Sequence, residues 1–440
     1  MRMPRRADRC QQLVPRLSRT LAVSFICTVL LTIHTAAAGE LSLSLSEAIE
    51  RTLSTHPELR LYRSRESSLE AAVETAAQRP PLSLALDAEN FGGTGSTSAA
   101  DSAEITLSLA SVLERGGKRE ARQAVAATQL DGVQLARETT RLDLTAEVAR
   151  RYLDVIRSQA EANLKAEEVA QRARTVTAAA HRVQAGASPQ STKLTAEAAQ
   201  ARAEIQRKTA EREIVTAYRR LALLWGERNP VVRPLSGDLM SLPAIPDFDD
   251  LANLIEQTPE LKRFATESRL REARLQLARS ERSPDVSWKL GVRRLQDLGD
   301  WAVIAGVSIP LGSSRRAEPG IRSSEAELDA LAIERQSSEL SLFATLAEAH
   351  GRYMDAYTEV NQSRSNLEPR LKQAEVATER AYRAGALSYL EWAQVQSDAI
   401  DARERQLVLA QRAHLALIEI QRLTGEPFIQ PSPDGGEPRP

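Results

Sequence analysis

Cysteine is almost missing from this chain. Cys10 and Cys27 are the only two, both within the first thirty residues of 440. The remaining length therefore carries no disulfide framework, thiolate metal site or cysteine nucleophile. Aromatic residues are scarce at 4%, and the apolar fraction rests on Ala, Leu and Val. That composition disfavours a bulky globular core and favours long helices packed by small side chains. Charge of one sign is also lacking, with a formal net charge of −1, so there is no general nucleic-acid footprint. Past residue 33 no apolar run reaches the ~18 residues of a membrane-spanning helix. His56, His181, His350 and His414 lie too far apart for an i, i+4 metal pair. Met240 and Met354, the only methionines after residue 3, make no thioether ladder for a soft metal. Gly92-Gly93-Thr94-Gly95 lacks the lysine of a phosphate loop, and Gly117-Lys118 is followed by Arg119 where a hydroxyl residue is required. No Ser/His/Asp set or carboxylate dyad can be placed together. The expectation is a chain with no enzymatic activity, no cofactor and no resident metal.

What is present begins with a leader pattern. Arg2, Arg5, Arg6, Arg9, Arg16 and Arg19 precede an apolar stretch over 21–33, then Ala36-Ala37-Ala38. This predicts a secretion signal over 1–38, cut between Ala38 and Gly39. Ile26 before Cys27 does not suit lipid attachment, so no lipid anchor is expected. The 52 basic and 58 acidic residues after position 38 give a net charge of −6.

The rest is written twice. His56-Pro57-Glu58-Leu59 returns 202 residues later as Thr258-Pro259-Glu260-Leu261, and Ala185-Gly186-Ala187 returns 199 later as Ala384-Gly385-Ala386. Gly226-Glu227 returns as Gly425-Glu426. A repeat of this length is far beyond the ~20–50 residues of a solenoid unit. The first copy is assigned to 39–228, a proline-rich connecting segment to 229–250, the second copy to 251–426, and a disordered tail to 427–440. Each copy reads as a short helix (Ser46–Thr55 in the first, with Ser46 as cap), a second helix opening on proline, two alternating segments, and a pair of long helices. The alternating segments, about 82–90, 103–110, 285–294 and 301–310, predict four β-strands in two hairpins. The long runs 119–184 and 321–384 predict helices of roughly 95–100 Å at 1.5 Å per residue, the second interrupted at Pro369. Coiled-coil-like packing is expected without sustained heptads. Helices 191–225 and 388–423 return after turns at Gly186 and Gly385.

A half-buried sheet in a soluble domain shows the same alternation. Three details favour a membrane barrel. The strands are ~9–11 residues long. Their polar faces carry Asp87, Glu89, Lys289 and Arg293, and Phe91, Trp288 and Trp301 sit where aromatic girdles belong. Four strands cannot close, and an open edge cannot face lipid, so several chains must pool strands. The fold class expected is mainly α with a small membrane β part. In it, long antiparallel helices form a tube below a shared barrel, twelve-stranded if three chains contribute.

This plan resembles the TolC-type outer-membrane efflux channels, over almost the whole chain after the leader. Asn90-Phe91-Gly92-Gly93, Gly116-Gly117-Lys118-Arg119, Ile309-Pro310-Leu311, Arg182 to Gly186 with Ser188-Pro189, and Ala381 to Gly385 with Ser388 to Glu391 are similar to the branch serving cobalt–zinc–cadmium cation pumps. The resemblance implies a trimeric passive duct in the outer membrane of a Gram-negative bacterium. A periplasmic adaptor and an inner-membrane proton-driven pump of the resistance–nodulation–division class would dock at its helical tips. Arg182, Gly186, Ser188, Arg383, Gly385 and Ser388 are the expected docking residues. In the family, carboxylates just past the second tip narrow the closed pore. Glu391 takes the first such position and Gln394 replaces the second, which implies one acidic ring. The exported species is expected to be a divalent heavy-metal cation. An organic-toxin channel, or a periplasmic adaptor or coiled-coil scaffold, are the competing expectations.

Overall fold

The computed structural model describes residues 42–425. The leader with its Ala38–Gly39 cleavage expectation and the tail after 426 lie outside the described residues. Two successive units make up the chain. The first comprises α1 (Leu45–Thr55), α2 (Pro57–Ala77), β1 (Ser83–Glu89), β2 (Glu104–Leu113), α3 (Lys118–Gln184) and α4 (Gln190–Ala222). The second comprises α5 (Phe248–Ile255), α6 (Pro259–Ser280), β3 (Val286–Leu295), β4 (Asp300–Ser308), α7 (Ser313–Gln362), α8 (Glu368–Arg383) and α9 (Tyr389–Thr424).

Helix starts obey local chemistry, with some corrections to the sequence reading. Ser44, not Ser46, caps α1: its Oγ accepts the Glu47 amide at 3.2 Å. The helix therefore opens at Leu45. The second long helix opens at Ser313, eight residues before the expected Ile321, on the left-handed Gly312 (φ 81°), and runs over Pro319. It is interrupted as expected near Pro369, by the five-residue π turn Ser363–Leu367. Pro369 then lies in the first turn of α8, where its missing N–H costs nothing. The widened turn before it is the usual way to absorb such a break.

Alanine lets the long helices approach closely. Ala196, Ala203, Ala210 and Ala217 of α4 are all buried at a spacing of seven. Trp392, Ala399, Gln406, Ala413 and Ile420 of α9 repeat that spacing, also buried. A seven-residue repeat is thus sustained over these two returning helices, with small and polar residues rather than leucines in the seam.

Residues 229–250 are more than a connector. Leu235 forms a parallel bridge with Leu43, and both Leu235 and Leu239 join the main core with Tyr152, Tyr218 and Leu221. A second core gathers Leu251, Ile255, Phe264, Leu346, Tyr353 and Ile420.

The four strands form one antiparallel sheet in the order β1-β2-β3-β4. β2 and β3 join the two copies. β2 extends three residues past the expected end because Ser111, Val112 and Leu113 pair with Trp288, Ser287 and Val286.

Candidate channel wall and helical tips

Register sorts the sheet into two faces. Leu84 and Leu86 of β1 lie opposite Leu109 and Leu107 of β2, which lie opposite Leu290 and Val292 of β3, and these face Ala305 and Val303 of β4. This apolar face is exposed throughout; Leu84, Leu86, Val303 and Val307 each keep 70% or more of their surface open. Soluble monomers rarely expose contiguous apolar patches of more than a few hundred Å². Trp288 and Trp301 share that face. They sit opposite Val307 and Arg294, six strand residues apart and so about 20 Å. The Arg294 guanidinium lies 5.5 Å from the Trp301 ring centre. Phe91 is exposed in the adjoining loop.

The other face is a ladder of charge. Lys289 pairs with Asp87 at 3.3 Å. Arg293 spans three strands, reaching Glu89 at 3.1 Å on β1, and Glu104 and Thr106 on β2. Gly291 lies between these rungs, where a Cβ would stand 2.7 Å from the Leu107 carbonyl. Only glycine allows β2 and β3 to approach this closely. Below the sheet, buried Lys118 pairs with Asp285 at 2.9 Å and Glu281 at 3.4 Å, fixing the start of α3 against the end of α6.

Both tips close with the same turn. Ala187 N–H donates to the Arg182 carbonyl and Gly186 N–H to Val183; Ala386 donates to Ala381 and Gly385 to Tyr382. These are Schellman caps with left-handed Gly186 (φ 69°) and Gly385 (φ 81°). Arg182 does not stand free. It donates to the Tyr382 carbonyl at 2.7 Å and to Ala187 at 3.3 Å, and stacks over the Tyr382 ring at 4.8 Å. Tyr382 in turn stacks on buried Trp392 at 4.8 Å. One residue therefore ties the two tips together. Arg383 is exposed and pairs with Glu379. Ser188 is half-buried before α4, whose cap position is Pro189.

Ser388 caps α9 with a full capping box: its Oγ accepts the Glu391 amide, and the Glu391 carboxylate accepts the Ser388 N–H at 2.9 Å and hydroxyl at 2.6 Å. These bonds hold the Glu391 carboxyl below the usual carboxylate range. Gln394 is exposed and donates to Asp398 at 2.8 Å. Glu391, Gln394, Asp398 and Asp401 share one exposed face of α9. Asp398 and Asp401 were missed in the sequence; the i, i+7 spacing from Glu391 would have found Asp398.

Above the tips the two copies meet through buried polar groups. Arg172 of α3 donates to Gln396 and Ser397 of α9, each at 3.3 Å. Lys165 pairs with Glu168 at 3.2 Å and with Glu404. Among the described residues, no three His, Cys, Asp or Glu side chains are placed to hold a metal ion, and no helix is long and apolar enough to cross a membrane.

Comparison with known proteins gives a coherent picture. The chain is 25% identical over 313 residues to the cobalt-zinc-cadmium resistance protein CzcC of Cupriavidus metallidurans, covering 71% of this chain and 75% of that protein. Its fold is similar to that of CusC, with a TM-score of 0.73 at 15% identity, over 87% of this chain and 92% of that one. It is also similar to the outer membrane protein VceC of Vibrio cholerae, with a TM-score of 0.69 at 18% identity, over 87% and 96%. The outer membrane efflux protein family model matches residues 48–227 and 251–426, and with exposed apolar strands above long paired helices, this chain belongs to that family of outer-membrane efflux channels.

Proposed function

We propose that this chain is the outer-membrane duct of a three-part exporter, passing divalent heavy-metal cations delivered by a periplasmic adaptor and an inner-membrane proton-driven pump. The observation that carries this reading is the sheet. Its outward leucines and valines lack cover, and its outer strands β1 and β4 leave unpaired edges. Such edges cannot face lipid, so the sheet must close with copies of itself. Three copies supply twelve strands, enough for a wet lumen lined by the Asp87–Lys289 and Arg293 ladders. The helices, with α3 about 100 Å long at 1.5 Å per residue, continue the wall into the periplasm. The conduit is passive. Exposed Glu391 and Asp398 give its narrow end a negative lining that favours cations, and the tips carrying Gly186, Arg383 and Gly385 are the docking surface for the adaptor. The metal reading is supported by the relative's resistance to cobalt, zinc and cadmium, as its name states.

The test is a deletion strain profiled against cobalt, zinc, cadmium, nickel and organic toxins, with the purified protein sized in detergent. Sensitivity to divalent metals and a trimer are expected. Sensitivity to organic toxins alone would replace the cargo. A stable monomer in the soluble fraction would overturn the duct.

A further inference from the structure

The register leaves a single charge on the apolar face of the sheet. Within the four strands, Asp87, Glu89, Glu104, Lys289, Arg293 and Asp300 all fall on the opposite face, and Arg294 alone falls among the leucines and valines. Its rung reads Ala88, Ile105, Arg294, Trp301 across β1 to β4. Every acid of the sheet therefore points away from it. Arg293, one residue earlier, is satisfied by Glu89, Glu104 and Thr106. Arg294 makes no ion pair among the described residues; it is half-buried and stacks on the Trp301 ring at 5.5 Å.

Arginine keeps its charge in any protein setting. On an apolar face that charge is costly unless it meets an anion. The cost falls toward the rim of a barrel, and Arg294 stands at a rim. Its rung adjoins the loops 90–103 and 296–299, at the end of the sheet away from the helices. With the apolar face in lipid, that end lies at the headgroups of the outer leaflet, within reach of a long side chain that snorkels. The anion at that level is a lipid phosphate, which a guanidinium matches with two parallel hydrogen bonds. The next rung inward, Leu107, Val292 and Val303, is exposed and apolar, as an acyl chain requires. Phe91 and Leu298 are exposed in the two loops beyond.

We propose that Arg294 and Trp301 form a binding site for a phosphorylated lipid of the outer leaflet, the guanidinium holding the phosphate and the rung beneath it an acyl chain. The site rests on the reading of this face as lipid-facing and is independent of the exported cargo.

Native mass spectrometry of the detergent-solubilised oligomer tests it, with bisphosphorylated lipid A and its dephosphorylated form as probes. The unmutated protein should retain the phosphorylated form about five-fold more tightly. Arg294→Leu, which suits a lipid face, should assemble normally and lose that preference, and Arg294→Lys should keep part of it. Arg212→Gln, which removes an exposed cation of α4, should change nothing. Equal retention of the two lipids by the unmutated protein, or a preference that survives in Arg294→Leu, would overturn the site while leaving the duct intact. The unmutated protein decides the matter by itself if Arg294→Leu fails to assemble. A soluble monomer in the same spectra would overturn both.

Discussion

At the scale of single residues, Glu391 performs two tasks. Its carboxylate completes the cap that starts α9, and its charge stays exposed, as the proposed cation-favouring lining requires. The two tasks can be separated. Ser388→Ala removes the cap at a cost of about 1 kcal/mol, so amides of the first turn, 390–394, should exchange about five-fold faster while ion selectivity is retained. Asp398→Asn leaves the cap intact and should reduce cation selectivity in single-channel recording. If it does not, the negative lining lies elsewhere. Because the folded carboxyl of Glu391 is depressed, its stabilising contribution is present above the ordinary carboxylate pKa and is lost as pH falls through the folded value. His414 depends on pH differently. Burial lowers its pKa while the Leu239 carbonyl, 3.0 Å away, opposes that shift. The unfolded chain therefore takes up a proton first, and stability should fall as pH drops below about 6.5. His414→Gln should flatten the melting-temperature profile between pH 7 and 5.

At the scale of elements, sequence and structure agree where periodicity was unambiguous. The alternation Leu82, Leu84, Leu86 and Trp301, Val303, Ala305 located strands to within a few residues, because a period of two has few other uses. Helix starts were less legible. Ser44 and Ser46 are both good caps, and only the chain path through Leu43 to Leu235 chose the former. By alternation Gly291 is one more polar-face position, whereas its true constraint is the Leu107 carbonyl on a strand some 180 residues earlier. Gly291→Val should prevent β2–β3 pairing and abolish detergent-stable assembly. Gly306→Ala, whose Cβ would stand 4.0 Å from its nearest neighbour, the Lys289 Cβ, should assemble normally.

At the scale of the whole molecule, the two copies are joined by charge as much as by apolar packing. Arg422 of α9 holds Asp143 of α3 at 2.7 Å and Glu260 of α6 at 3.0 Å, and Arg150 holds Glu419 at 2.8 Å. Arg422→Ala removes a half-buried cation from two carboxylates and should destabilise the chain by about 2 kcal/mol, seen as a lower melting temperature with the oligomer retained at low temperature. The tips were only partly legible. Gly186 and Gly385 announce turns from sequence alone, but the reach of Arg182 across to the Tyr382 carbonyl does not show there. Long side chains choose among neighbours that sequence cannot rank.

The amino-acid order by itself determined the duplication, the strand and helix periods, the lack of thiol chemistry and the shortage of strands that forces association. These arise from local sterics and from the need to satisfy every backbone group in lipid. Tertiary structure alone decided which residues face one another: Arg293 across three strands, Arg182 across two tips, Arg172 between the copies. Such pairings join residues up to some 220 positions apart, and they exist only once packing has brought distant helices and strands into a common register.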